Sequence, residues 1–153
     1  MFKIEDFNEG DAKALSHIAD EAFGDELDRG MPSFTPLVFI RSSRRSGTRI
    51  FVARFEGEVV GFLTLTEVVK GEPAQIHLVG VEKRYRGRGL GKDLVRAAIG
   101  HVRERGKGKL KLFTRPWNTA MSKVCIDLEF IPEAYLRREY MDADLILYSL
   151  FLY

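Results

Sequence analysis

Cysteine, tryptophan and long apolar runs are all scarce in this chain of 153 residues, which has one cysteine (Cys125), one tryptophan (Trp117) and five prolines. A single thiol cannot close an internal disulfide, and neither Cys-x-x-Cys nor mixed Cys/His metal spacing occurs. No structural metal is therefore expected, and a reducing, cytoplasmic setting is the simplest reading. The longest apolar run, residues 145–153 with only Ser149 interrupting it, is far short of the ~20 residues of a membrane-spanning helix. It reads as a strand buried on both faces. Met1 to Phe7 lack the basic and apolar regions of a secretory leader, so no targeting segment is expected.

The chain has 45% hydrophobic and 30% charged residues, ordinary for a packed domain, and its length fits one domain over residues 1–153. The net charge of +2 predicts neither a nucleic-acid nor a membrane partner. Its distribution is uneven. Residues 82–111 hold eleven Lys or Arg against three acids, a local +8, and leave −6 elsewhere. Nine acids between Glu5 and Asp28 face only Lys13. Such asymmetry points to a polyanionic ligand near the basic segment and a cationic one near the acidic segment.

Hydrophobic periodicity predicts a strand over 2–7, then a helix to Phe23 capped by Asn8 or Asp11. A loop follows over 24–36, then a short helix over 37–45. Residues 50–55 and 59–69, joined at Glu56-Gly57-Glu58, read as a β-hairpin. Strands are expected over 74–81, 109–114, 135–140 and 145–152. Helices are expected from Leu90 to a glycine stop at Gly106, and from Asn118 or Thr119 to about Leu128. The order β-α-α-β-β-β-α-β-α-β-β describes an α/β fold with a mixed, mostly antiparallel sheet flanked by helices.

Between strand 74–81 and the helix at Leu90 lies Arg86-Gly87-Arg88-Gly89-Leu90-Gly91, a setting in which free N–H groups and a helix N-terminus bind phosphate. A Walker A loop would need glycine at Arg86 and Ser or Thr at Asp93, and a dinucleotide fingerprint would need glycine at Lys92. Neither fits. With Val81 before it, the run Arg86-x-x-Gly89-x-Gly91 resembles the acetyl-CoA pyrophosphate loop of the GNAT superfamily of N-acetyltransferases. The element order matches that family across the chain. Leu110-x-Leu112 followed by Asn118, and the ending Arg137-Arg138-x-Tyr140-x-x-x-Asp144, resemble its ribosomal-protein N-terminal acetyltransferase branch.

The resemblance implies acetyl-CoA as co-substrate, with no metal. It implies that main-chain groups of Val79, Gly80 and Val81 hold the pantetheine and polarise the thioester. Amides of Gly87, Arg88, Gly89, Leu90, Gly91 and Lys92 would bind the pyrophosphate, aided by the Arg86 charge. Asn118 matches the asparagine that contacts the pantetheine arm, and it would equally cap the following helix. The implied acceptor is a peptide or protein N-terminus or a small amine, and a homodimer is open.

An attacking amine must lose a proton, and at the branch's usual base and acid positions this chain has Phe113 and Cys125. His77, two residues before Val79 and on the same face by strand parity, is the substitute base. A hydrogen-bonded core histidine is the competing reading. Glu67 is a further candidate base. Cys125 could donate a proton to the departing thiolate, or simply pack beside Met121, Val124 and Leu128. Tyr135, Tyr140 and Tyr148 are alternative donors. Trp117 lines the cleft or staples a helix. Asp20, Glu21, Asp25, Glu26 and Asp28 would attract a cationic acceptor or be a solvated helix end. Two other readings are an acyl-CoA-binding module with weak catalysis and, less favoured, a nucleic-acid binder using the basic segment.

Overall fold

A computed structural model describes residues 1–67 and 70–152. The strands are β1 (Phe2–Asp6), β2 (Thr48–Phe55), β3 (Glu58–Thr66), β4 (Ala74–Val81), β5 (Lys109–Thr114), β6 (Ile131–Tyr140) and β7 (Ala143–Phe151). The helices are α1 (Ala12–Ala22), α2 (Gly24–Asp28), α3 (Pro36–Ser43), α4 (Leu90–Glu104) and α5 (Thr119–Asp127), with 3₁₀ turns at Glu9–Asp11 and Lys83–Tyr85. One seven-stranded sheet runs β1-β2-β3-β4-β5-β7-β6. Among the described residues only β4 and β5 are parallel neighbours. The expected mixed, mostly antiparallel α/β architecture is what the chain adopts. Among the described residues no helix is long and apolar enough to cross a membrane.

The sheet separates two apolar layers. Leu90, Leu94, Val95, Ala98 and Val102 form the stripe by which α4 packs on Leu63, Leu65, Ile76, Leu110 and Leu112. On the opposite face, Leu15, Ile18 and Ala19 of α1 and Phe39 of α3 cover Val52 and Phe62. Burying that many Leu, Ile and Phe side chains at about 1.5–3 kcal/mol each is the main favourable contribution to folding.

Four local expectations change. Residues 24–28 form a short helix within the predicted loop, held by side-chain contacts described below. The β2–β3 turn places Glu56 and Gly57 at φ of 51° and 84°, the two-residue geometry that suits the twist of a hairpin. β3 ends at Thr66, and Val68 and Val69, predicted as its last residues, lie outside the described residues. The largest correction is in β4. Its register against β3 slips between Thr64↔Leu78 and Leu65↔Ile76, so His77 occupies a β-bulge.

Candidate functional site

The site is built where β4 and β5 separate. Their pairing runs from Ala74↔Leu110 to Ile76↔Leu112, while β4 continues to Val81. Beyond that point no strand pairs with the β5-facing edge of residues 77–81, and apart from Val81 O, which accepts from Arg86 Nε, its main-chain groups are available to a ligand. The opening is roofed on one face by α4 and α5, which an ion pair between Lys92 and Asp127 links at 3.4 Å. Asp127 sits below the ordinary carboxylate range because Lys123, and then Lys92, hydrogen-bond to it.

At the α4 end of the opening is the glycine turn. Gly87 and Gly89 have φ of 78° and 81°, a conformation that costs a side-chain-bearing residue roughly 1–2 kcal/mol. A Cβ at Gly87, Gly89 or Gly91 would meet nothing within 4 Å, so these glycines provide backbone geometry and an open approach. Helical bonding starts with Asp93 N to Gly89 O at 3.0 Å. The N–H groups of Leu90, Gly91 and Lys92 therefore precede the ladder and point out of the helix end. Arg86 Nε donates to Val81 O at 3.0 Å, and Glu21 Oε1 accepts from Lys83 N at 2.7 Å. Arg88 stacks on Tyr85, 5.3 Å from the ring centroid. Arg88 has no carboxylate partner among the described residues.

The bulge re-aims His77. Ile76 and Val79, three residues apart, both pack in the α4 layer, which strict alternation would forbid. His77 consequently turns to the opposite face, where its Nε2 shares a 2.7 Å hydrogen bond with Thr66 Oγ1. The expectation that it shares a face with Val79 and Val81 is corrected by this extra residue. Although His77 is solvent-exposed, desolvation, and then the nearby Lys111 charge, push its pKa below the ordinary histidine value. At neutral pH it is an uncharged imidazole able to accept a proton.

Two other candidates are buried side chains. Cys125 is completely buried in the α4-layer core, and burial pushes its thiol up to about 12. That is some three units above the ~8.5–9 of a free thiol, so protonating a departing thiolate from Cys125 would be uphill. Its place is that of a packed apolar residue. Glu67 has a side chain only 7% exposed and pairs with His101 Nε2 at 2.9 Å and Arg105 Nε at 3.4 Å. Those partners lie at the C-terminal end of α4, roughly 20 Å along the 15-residue helix from the glycine turn. Glu67 thus joins β3 to α4 and does not flank Val79.

Of the tyrosines, Tyr148 is in the core, and Tyr135 donates to Asp144 Oδ2 at 2.6 Å. That bond raises the Tyr135 pKa. Asn118 caps α5, its Oδ1 accepting from Met121 N at 3.1 Å. Phe113 lies beneath Lys111, whose Nζ is 5.9 Å from the ring centroid. Of the five acids read as an attractant, Glu21 bonds Lys83 N and Glu26 forms two bonds to Arg115.

Arg115 was not anticipated. It is 7% exposed, with Nε and NH2 donating to Glu26 at 2.5 and 2.6 Å and NH1 donating to the carbonyls of Ala143 and Asp144 at 3.0 and 3.2 Å. A lone arginine before proline carries no sequence signal of burial. Glu26 is 89 residues away.

A splayed parallel strand pair beside a glycine turn at a helix N-terminus is an architecture suited to a ligand that carries phosphate groups. The family model for "Acetyltransferase (GNAT) family" matches residues 12–125, and the chain belongs to that family. A mycothiol acetyltransferase of Nocardia farcinica is 40% identical over 58 residues, 38% of this chain and 19% of that protein. An uncharacterized N-acetyltransferase of Methanocaldococcus jannaschii is 32% identical over 75 residues, 46% of this chain and 33% of that protein. The match thus spans a third or less of the length of these curated relatives. Among solved structures, the ribosomal-protein-S18-alanine N-acetyltransferase of Escherichia coli aligns with a TM-score of 0.81 and 23% identity, covering 99% of this chain and 94% of that one. A Salmonella typhimurium structure described with its cofactor acetyl-CoA aligns with a TM-score of 0.82 and 20% identity, covering 99% and 94%. At these identities the structures establish a shared fold.

Proposed function

We propose that the chain transfers an acetyl group from acetyl-CoA to a primary amine, either a peptide or protein N-terminus or a small amine, by direct attack on the thioester. The observation that carries this reading is the unpaired β4 edge at residues 77–81, set beside the outward N–H groups of Leu90, Gly91 and Lys92. Acetyl-CoA supplies the activated acyl group. Amides of residues 87–92, with Arg86 and Arg88, would hold its pyrophosphate, and Val79, Gly80 and Val81 would hold its pantetheine and polarise the thioester oxygen. Asn118 would contact the pantetheine arm.

In the transfer the amine nitrogen forms the N–C bond, the C–S bond breaks, and the CoA thiolate leaves and takes up a proton from solvent water. Neutral His77 would take the amine proton, directly or through water, from the face opposite α4. Asp20, Asp25 and Asp28, which form no ion pair among the described residues, would favour a cationic acceptor. The test is thiol release from acetyl-CoA with three probes: a peptide with a free N-terminal alanine, a lysine blocked at its α-amine, and an arylalkylamine. Amine-dependent thiol release is expected with at least one probe.

A second reading, an acyl-CoA-binding module with weak catalysis, draws on the burial of Cys125 and on Phe113 at the usual base position. It predicts CoA affinity by calorimetry without turnover on any of the three amines.

A further inference from the structure

We propose that Glu26 and Arg115 are a positioning pair that assembles the acceptor-side wall of the transferase opening by holding α2 against Trp117. This inference rests on the acetyl-transfer reading above.

The opening between β4 and β5 is closed on one face by α4, α5 and the glycine turn, so an acceptor has only the other face to approach from. That face is bounded by the end of α1, where Glu21 bonds Lys83 N at 2.7 Å, by α2, and by the ends of β5 and β7. Of these elements α2 is the weakest on its own. It has five residues, none of them buried, far below the ~12–15 at which an isolated helix becomes even marginal in water. Its conformation must therefore be imposed from outside.

Arg115 supplies that constraint. Its planar fork meets both carboxylate oxygens of Glu26, a bidentate geometry with directional as well as electrostatic content. The same guanidinium is fixed from behind by the carbonyls of Ala143 and Asp144. The rigid sheet thus sets the position of α2 through one side chain. Both partners are largely shielded, at 8% and 14% side-chain exposure, so loss of either one leaves a poorly solvated charge.

What the pair shapes is visible beside it. Trp117 is 49% exposed and contacts two guanidinium groups, with Arg29 at 5.0 Å and Arg115 at 5.6 Å from its ring centroid. Asp25, Asp28, Arg29 and Trp117 line an open depression of ≈ 390 Å³. Three of those four residues belong to α2 or its C-cap, so the depression keeps its form only while α2 stays docked. Tyr140, the last residue of β6, also contacts the guanidinium, its ring centroid 5.6 Å from Arg115.

Glu26→Gln is the decisive variant. It removes the charge on α2 and leaves the Arg115 bonds to β7 in place. Arg115→Lys, which keeps the charge but loses the fork, is the companion. Kinetics would use whichever of the three amine probes releases thiol fastest. The expected result is an acceptor KM raised about tenfold, an acetyl-CoA KM within twofold of wild type, and a smaller change for Arg115→Lys than for Arg115→Ala. Trp117 is the only tryptophan, so its emission reads the wall without turnover, and Glu26→Gln should make it more accessible to iodide quenching. Equal rises in both KM values, no rise in either, or unchanged iodide quenching would overturn the assignment. If wild-type protein turned over none of the amines, the acetyl-transfer reading would fall, while the quenching comparison would still decide whether the pair shapes the wall.

Discussion

Local environment decides what the Cys125 thiol and the His77 imidazole can do. Cys125 is sealed in the core and its thiol is pushed up to about 12, so in the folded protein it should not react with an aromatic disulfide at pH 8 and should react stoichiometrically in denaturant. Cys125→Ala should cost about 1 kcal/mol of stability, from the small cavity it leaves, and change turnover less than twofold. A large loss of turnover in a protein of normal stability would restore it as a proton donor. The thiol also has a sign in pH. A folded pKa raised above the unfolded value means its contribution to stability is present below about 8.5 and is lost as pH rises toward about 12. His77 runs the other way. Desolvation and Lys111 lower its pKa, so the neutral base form persists to pH values below the ordinary ~6.5. With His77 as base, the acidic limb of kcat/KM should fall at lower pH than an ordinary histidine would give, and His77→Gln should lower kcat by roughly 10²- to 10⁴-fold. An unchanged kcat in His77→Gln would leave the histidine a structural partner of Thr66.

Elements were legible where their signals were local. β4 and β5 run over residues 74–81 and 109–114 as the β-branched and apolar runs between glycine, proline and lysine boundaries predict. The Leu90 start of α4 follows from a glycine turn whose φ values only glycine adopts cheaply. What the sequence could not show depends on partners distant along the chain. The bulge at His77 is a register choice made against β3, α2 is docked by an arginine 89 residues away, and Glu67 finds His101 across 34 residues. Gly80 shows the same dependence. A Cβ there would stand 2.6 Å from Phe62 Cε1 and 3.2 Å from Ile18 Cγ2, so this glycine permits α1 to lie close on β4. Gly80→Ala should destabilise by about 1–3 kcal/mol through overpacking, measured by denaturant unfolding. Phe62→Leu in the same chain should recover part of that loss, and a Gly80→Ala protein as stable as wild type would disprove the close approach.

At the scale of the whole molecule, the net +2 conceals two fields. Much of the acidic segment is neutralised internally, with Glu5 and Asp11 on Arg54, Asp6 on Arg49, Glu9 on Arg44 and Glu26 on Arg115. The basic segment is less compensated, since Arg88 at the glycine turn has no carboxylate partner among the described residues. The exterior field is therefore positive around the outward N–H groups of α4, and a polyphosphate ligand should be steered to that end of the molecule. Such steering weakens as the Debye length falls from about 30 Å at 0.01 M salt to about 8 Å at 0.15 M. Acetyl-CoA affinity should accordingly drop several-fold over that range, while kcat at saturating acetyl-CoA stays level. Arg88→Glu replaces an attraction with a repulsion at the turn. It should weaken CoA binding roughly tenfold at low salt, the equivalent of about 1.4 kcal/mol, and flatten the salt dependence. Calorimetric titration of CoA at the two ionic strengths measures both effects. Unchanged affinity in Arg88→Glu would place the phosphates away from residues 87–92 and overturn the footprint on which the acetyl-transfer reading stands.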